Sequence, residues 1–223
     1  MTIGTSNLET SPIILNRTRS DLLPLAQVLD TDELVRDARR LQAAEYLRVG
    51  YLSDHRALGA DGTLRPELDP WVGYSRHFGA FDPDGGVRAT CRVIENQAPW
   101  PLPTLRLPGL DPAVRADLER LPTGRLGEIS ALASGVGAGV QYTRAIFRAL
   151  WLDALERGLT DWVLSVDRLV LRILRGMSDP LFRVVGEPSP APVRPVLPVW
   201  IRAADVTDDI FARGLAPDVV VLP

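Results

Sequence analysis

GEISALAS (Gly127–Ser134), GVGAGV (Gly135–Val140) and QYTRAIFRALWLDALERG (Gln141–Gly158) follow one another without a break. An apolar run carrying one carboxylate, Glu128, enters a glycine-rich turn that opens directly into a helix. Such a turn offers backbone N–H groups and the positive end of a helix dipole to an anion, usually a phosphate. Gly135, Gly137 and Gly139 are therefore candidate phosphate ligands, with Arg144, one turn into the helix, as counter-charge; the alternative is a strand–turn–helix unit whose glycines serve tight packing, with Arg144 on a solvated helix face. Two readings of Glu128 are open. As a carboxylate inside an apolar strand it needs a partner or a job, and burial would raise its pKa toward that of a general base. As the first residue of an exposed strand it would do neither. The glycines are not a dinucleotide fingerprint, because Val140 occupies the position of the third spaced glycine.

The helix after the turn has a wide apolar face of Ile146, Phe147, Leu150, Trp151, Ala154 and Leu155, and Gly158 ends it. Upstream, DLLPLAQV (Asp21–Val28) reads as a strand. Asp30 and Glu33 form a capping box for a helix through about Tyr51, with Leu34, Ala38 and Leu41 at helical spacing. Leu52–Pro70 is a long loop. YSRHFGAF (Tyr74–Phe81) and VRATCRVI (Val87–Ile94) are strands of a hairpin around Asp82–Gly86. QAPWPLPTLRLPG (Gln97–Gly109) is too proline-dense for a central strand, and Asp111-Pro112 opens a short helix with stripe Val114, Leu118, Leu121. Downstream come the strand TDWVLSV, a helix RLVLRILRG capped by Asp167, and the strands LFRVVG and VLPVWI. The order is β-α-loop-β-β-α-β-α-β-α-β-β. We expect a single mixed α/β domain over 21–223 and a loose segment over 1–20.

Composition narrows the chemistry. The 223 residues have a formal net charge of −3 and are 46% hydrophobic, enough for a core and no argument for a nucleic-acid partner. All 25 basic residues are Arg, so lysine-dependent chemistry such as Schiff bases and P-loop phosphoryl transfer is excluded. A lone Cys91 and two histidines argue against a disulfide or a multi-histidine metal site, and no metal is expected. With no signal-like leader and no spanning run, the chain is expected to be cytoplasmic.

Two further groups are candidates. Glu67 and Asp69 on the long loop, with Trp71 beside them, form an acid–aromatic set suited to an amine, or a solvated turn. His77 and Arg92 lie on the two strands of the hairpin and share a face only if the register allows.

Taken together, Pro66–Ile94, Gly127–Ala133 and Val163–Met177 resemble the acyl-homoserine-lactone synthase and N-acyl amino acid synthase branch of the GNAT-type acyltransferases. The resemblance runs from about Leu22 to Ile201. It implies a mixed sheet that splays between its fourth and fifth strands, here GEISALA and TDWVLSV, and admits the pantetheine arm of an acyl donor. It implies no permanent cofactor, acyl-phosphopantetheine on acyl-carrier protein or CoA as co-substrate, and a small-molecule amine as acceptor. Glu128 becomes the base, backbone N–H groups at Leu132 or Ala133 the oxyanion donors, and Glu67, Asp69, Trp71, His77 and Arg92 the acceptor site. Arg144, Arg148, Arg172 and Arg175 become a docking face for an acidic carrier. Four positions depart from the family pattern: Gln42 and Ala131 stand for arginines, Val72 for an aspartate, and Ser134 for Arg or Gln. These departures argue against homoserine-lactone synthesis itself. A conventional acetyl-CoA-dependent N-acetyltransferase and a non-catalytic carrier-binding module are the alternatives.

Overall fold

The computed structural model describes residues 24–212. The expectation for 1–20 lies outside them, as do the first three residues of the strand read from Asp21. The described part of that strand is β1 (Ala26–Val28).

The hairpin forms where its turn residues place it. β2 (Ser75–Phe81) and β3 (Val87–Glu95) are joined through Asp82, whose carboxylate accepts from the Asp84 and Gly86 amides at 3.0 and 2.8 Å. Gly85 sits at φ +87°, a conformation in which glycine has no steric cost. The register sets His77 directly opposite Arg92, so the two side chains share a face.

Seven strands form one sheet in the order β1-β2-β3-β4-β5-β7-β6. β4 (Leu126–Ser134) runs antiparallel to β3 and parallel to β5 (Asp161–Asp167). That parallel pair requires a crossover, supplied by α3 (Val140–Arg157), which Gly158 ends at φ +71°. Asp167 caps α4 (Arg168–Arg175) by accepting from the Leu169 and Val170 amides at 2.7 and 2.9 Å. β6 (Arg183–Val184) and β7 (Val196–Arg202) complete the sheet, and α5 (Asp208–Ala212) follows.

Strand alternation sorts the core onto two faces. Phe78, Cys91, Val93, Ile129, Trp162 and Leu164 pack against α3 through Ile146, Phe147 and Leu150. On the other face Ile94, Leu126 and Val163 meet Leu102 and Leu105 of the proline-rich segment and Leu118 of α2 (Pro112–Glu119). The apolar face of α3 is narrower than its sequence predicts. Leu155 is exposed, whereas Asp153 is buried and held by Arg76 and Arg157.

α1 (Asp32–Val49) covers β3 and β4 on the second face. Its cap is Thr31, whose Oγ1 accepts from the Leu34 amide at 3.3 Å, one residue later than the Asp30 predicted. Gly50 at φ +86° stops it just short of Tyr51. Ala38 and Ala43 are buried as their spacing requires, but so are the polar Gln42 and Glu45.

Candidate active site

β4 and β5 pair at only three positions, Leu126↔Asp161, Gly127↔Trp162 and Glu128↔Val163. Beyond Glu128 each strand keeps its other partner, β4 on β3 as far as Ser134 and β5 on β7 as far as Asp167, and the two part company. A bulge accompanies the parting. Thr90 faces Ala133 and Arg92 faces Ser130, so Ala131 and Leu132 together oppose the single residue Cys91. Ala131 lies at φ +56°, the one non-glycine residue at positive φ among those described. A left-handed conformation costs an alanine on the order of 1–2 kcal/mol, and the bulge directs β4 away from β5.

The opened strands bound a cleft of about 440 Å³. Its walls are Leu132, Ala133 and Ser134 on β4, Tyr46 on α1, and Ile173 and Leu174 on α4. Thr143 on the first turn of α3 lines it, and Arg48 and Arg194 lie at its edge. The glycine turn leads from this cleft into α3. The Gly135 amide donates to the Arg88 carbonyl at 2.9 Å, Gly137 takes φ +78°, and Gly139 starts the helix with no side-chain cap. The first-turn amides of α3 are therefore available to an anion. Arg144 is buried, which takes it out of the carrier-docking face that the resemblance implies. Arg88 also places a guanidinium beside the turn, donating to the Val136 carbonyl at 3.1 Å.

Glu128 is the last β4 residue paired with β5 and is 2% exposed, which removes the reading of an exposed strand start. Its Oε2 accepts from the Thr104 amide at 2.8 Å. Burial pushes its pKa up to about 8, opposed by the Thr104 bonds and the positive charge of Arg92. The carboxyl is thus largely protonated at neutral pH and ionises just above it.

Asp69 and Arg92 are both buried and locked together, Arg92 Nη1 donating to both carboxylate oxygens at 2.6 and 2.7 Å. Glu67, read from sequence as its companion, is exposed on the 3₁₀ turn Pro66–Leu68 and does not join the cluster. His77 is buried opposite Arg92, and burial together with that charge lowers its pKa to about 4, leaving a neutral imidazole at pH 7. Tyr46 has its phenol pushed up by burial, against the pull of Arg92 and a hydrogen bond with Gln42. His77 Nε2, Arg92 Nε and Trp71 Nε1 are buried with no hydrogen-bond partner among the described residues. Polar atoms of this kind take water or a ligand.

Cys91 is buried and its thiol is pushed up by desolvation, which makes it inert. Of the arginines predicted to form a docking face, Arg148 pairs with Asp208 and Arg175 with Asp179, while Arg172 is exposed. Arg168 and Arg172 line a second recess of about 470 Å³, which shares Asp167, Leu169 and Arg194 with the cleft.

No family model matches the sequence, and no curated protein matches it. Solved structures do match. FeeM, an N-acyl amino acid synthase from uncultured soil microbes, superposes with a TM-score of 0.59 at 16% identity, over 81% of this chain and 91% of that one. BjaI, a CoA-dependent acyl-homoserine lactone synthase solved with SAM and isopentyl-CoA, gives 0.60 at 12% identity, over 84% and 86%. The acyl-homoserine-lactone synthase LasI gives 0.57 at 12%, over 80% and 89%. The chain has the fold of these acyl-transferring synthases. The splay expected of that fold between its fourth and fifth strands is the parting seen after Glu128.

Within this synthase fold the departures acquire structural meaning. Gln42, standing for an arginine, is spent on Tyr46. Ala131 is the strained residue of the bulge. Val72 lies half-buried in a 3₁₀ turn after Trp71, and Ser134 lines the cleft. Four residues of the site were not singled out from sequence: Tyr46, Arg88, Thr104 and Ser165. Tyr46 lies four residues after Gln42 on one helix face, a signal that was available. Arg88, Thr104 and Ser165 acquire their places only through tertiary pairing.

Proposed function

We propose that this chain is an N-acyltransferase that moves an acyl group from a pantetheine thioester to the amine of a small molecule. The observation that carries it is the parting of β4 and β5 into a cleft directly after Glu128, the last paired residue and a buried carboxyl whose pKa is raised to about 8. A pantetheine arm is flat, narrow and rich in amide groups, so it suits a slot between two strands with exposed backbone edges. The glycine turn and the start of α3 would take its phosphate.

The amine nitrogen attacks the thioester carbonyl carbon, and its proton passes to the ionised Glu128. The C–S bond then breaks, the thiolate recovers a proton, and an amide and a free thiol result. Base assistance of this kind contributes about 10²–10⁴-fold. The amides of Leu132 or Ala133, at the bulge, would hold the oxyanion, a donor worth roughly 3–4 kcal/mol. Asp69 and Arg92 would act as a fixed pair that orients the acceptor beside His77 and Trp71, whose buried nitrogens would meet its polar groups. Arg194 at the cleft edge and Arg168 and Arg172 in the adjoining recess would suit an acidic carrier protein, since complementary charge steers docking. Among the described residues no helix is long and apolar enough to cross a membrane, and we place the reaction in the cytoplasm.

The test is intact-mass spectrometry of the purified protein with a panel of acyl-carrier proteins and acyl-CoAs plus small amines. Loss of acyl mass from a donor, dependent on amine, is expected, and Glu128→Gln should reduce it by about 10²–10⁴-fold. Carrier binding without acyl loss across the panel would support the non-catalytic module instead.

A further inference from the structure

Thr104 touches both arms of the parted strands. Its amide donates to Glu128 Oε2 on β4 at 2.8 Å, and its hydroxyl shares a hydrogen bond with Ser165 Oγ on β5 at 2.9 Å. Glu128 is the last β4 residue paired with β5, and Ser165 lies two residues past its partner Val163, on the same face. Thr104 is fully buried and belongs to the one-turn 3₁₀ helix Pro103–Arg106. The far end of that segment is anchored as well. The Gly109 amide donates to Ser189 Oγ at 2.9 Å, and its carbonyl accepts from the Glu187 amide at 2.7 Å.

Glu128 is paired between Ile94 on β3 and Val163 on β5, apolar neighbours that have little to hold the orientation of a carboxyl. Thr104 does so, through its amide and its hydroxyl, and it sits on a connecting segment rather than on the sheet. The hydroxyl pair of Thr104 and Ser165 ties the segment to β5 at this point.

We propose that Thr104, tied down by Ser165, is the positioning residue for Glu128, fixing Oε2 so that Oε1 faces the amine and accepts its proton. This rests on the acyl-transfer reading above. A site held within fractions of an ångström keeps its rate, whereas about 1 Å of misplacement costs on the order of a hundredfold.

The test uses Thr104→Val, Ser165→Ala, the double variant and Thr104→Ser, in a protein carrying ¹³C-carboxyl-labelled glutamate. Ser165→Ala is the deciding variant and should move the Glu128 titration midpoint upward, because a loosened Thr104 no longer favours the ionised form; Thr104→Val should move it further, since it also removes the Thr104 hydroxyl bond to Glu128. The rising limb of the kcat–pH profile should move with it, kcat at neutral pH should fall about tenfold or more, and the KM for donor should stay put. Thr104→Ser should restore both, and the double variant should be no worse than Thr104→Val alone. An unchanged midpoint with unchanged kcat overturns the proposal. So does a change confined to melting temperature. The titration needs no turnover, so a wild-type protein inactive with every donor would count against acyl transfer, while the midpoint would still decide the clasp.

Discussion

At the scale of single residues, Glu128 makes two demands on pH. Its pKa is raised in the folded state to about 8 from the ordinary 4.5, so the fold binds its proton more tightly than the unfolded chain. The stability this gives is fully present below about pH 4.5 and is lost as pH rises through 8, an effect of about 3–5 kcal/mol over the window. Glu128→Gln should flatten that part of the pH–stability curve in urea titrations and be the more stable protein above pH 8. On the proposed mechanism activity should run the opposite way, rising as the carboxyl ionises. The buried Asp69–Arg92 pair makes a separate prediction. Asp69→Asn leaves a buried guanidinium without its counter-charge and should cost about 3–5 kcal/mol in equilibrium unfolding. Arg92→Met combined with Asp69→Leu should recover most of that loss.

Elements show where the sequence was legible and where it was not. The hairpin was readable because Asp82, Gly85 and Gly86 demand one kind of turn. α3 was readable because its apolar period and Gly158 agree. The facing of His77 and Arg92 was not readable, since a one-residue slip would separate them and no local signal sets register. Burial of Glu128 was equally open from its neighbours, and was settled by a segment 24 residues upstream that supplies its hydrogen bond. The bulge at Ala131 has no sequence signal, because alanine is a poor choice for positive φ. Ala131→Gly should therefore raise stability by about 0.5–1 kcal/mol in thermal unfolding, a gain that Ala→Gly seldom gives in a strand. Gly109→Ala tests the anchoring of the proline-rich segment. A Cβ there would lie 2.1 Å from the Glu187 carbonyl oxygen, so the segment must shift, at a cost of about 1–3 kcal/mol.

For the whole molecule, element order and sheet character follow from periodicity and turn chemistry, while the parting of β4 and β5 came only from family resemblance. The physical reason is that a strand's sequence does not say where its ladder stops. GEISALAS would pair happily to its end, and it is the two-for-one bulge opposite Cys91 that turns it away. On the proposed function, that parting would make an ordinary α/β sheet a receptor for a thioester arm, and acceptor, base and carrier surface would take their roles from it. The most direct measurement is a crystal structure with a non-hydrolysable acyl-pantetheine amide. The arm should lie along Leu132–Ser134 opposite α4, with its phosphate at Gly135–Gly139 and its amide carbonyl beside the Ala131–Leu132 bulge. An arm bound elsewhere, or β4 and β5 paired through to Asp167 with no space between them, would contradict it.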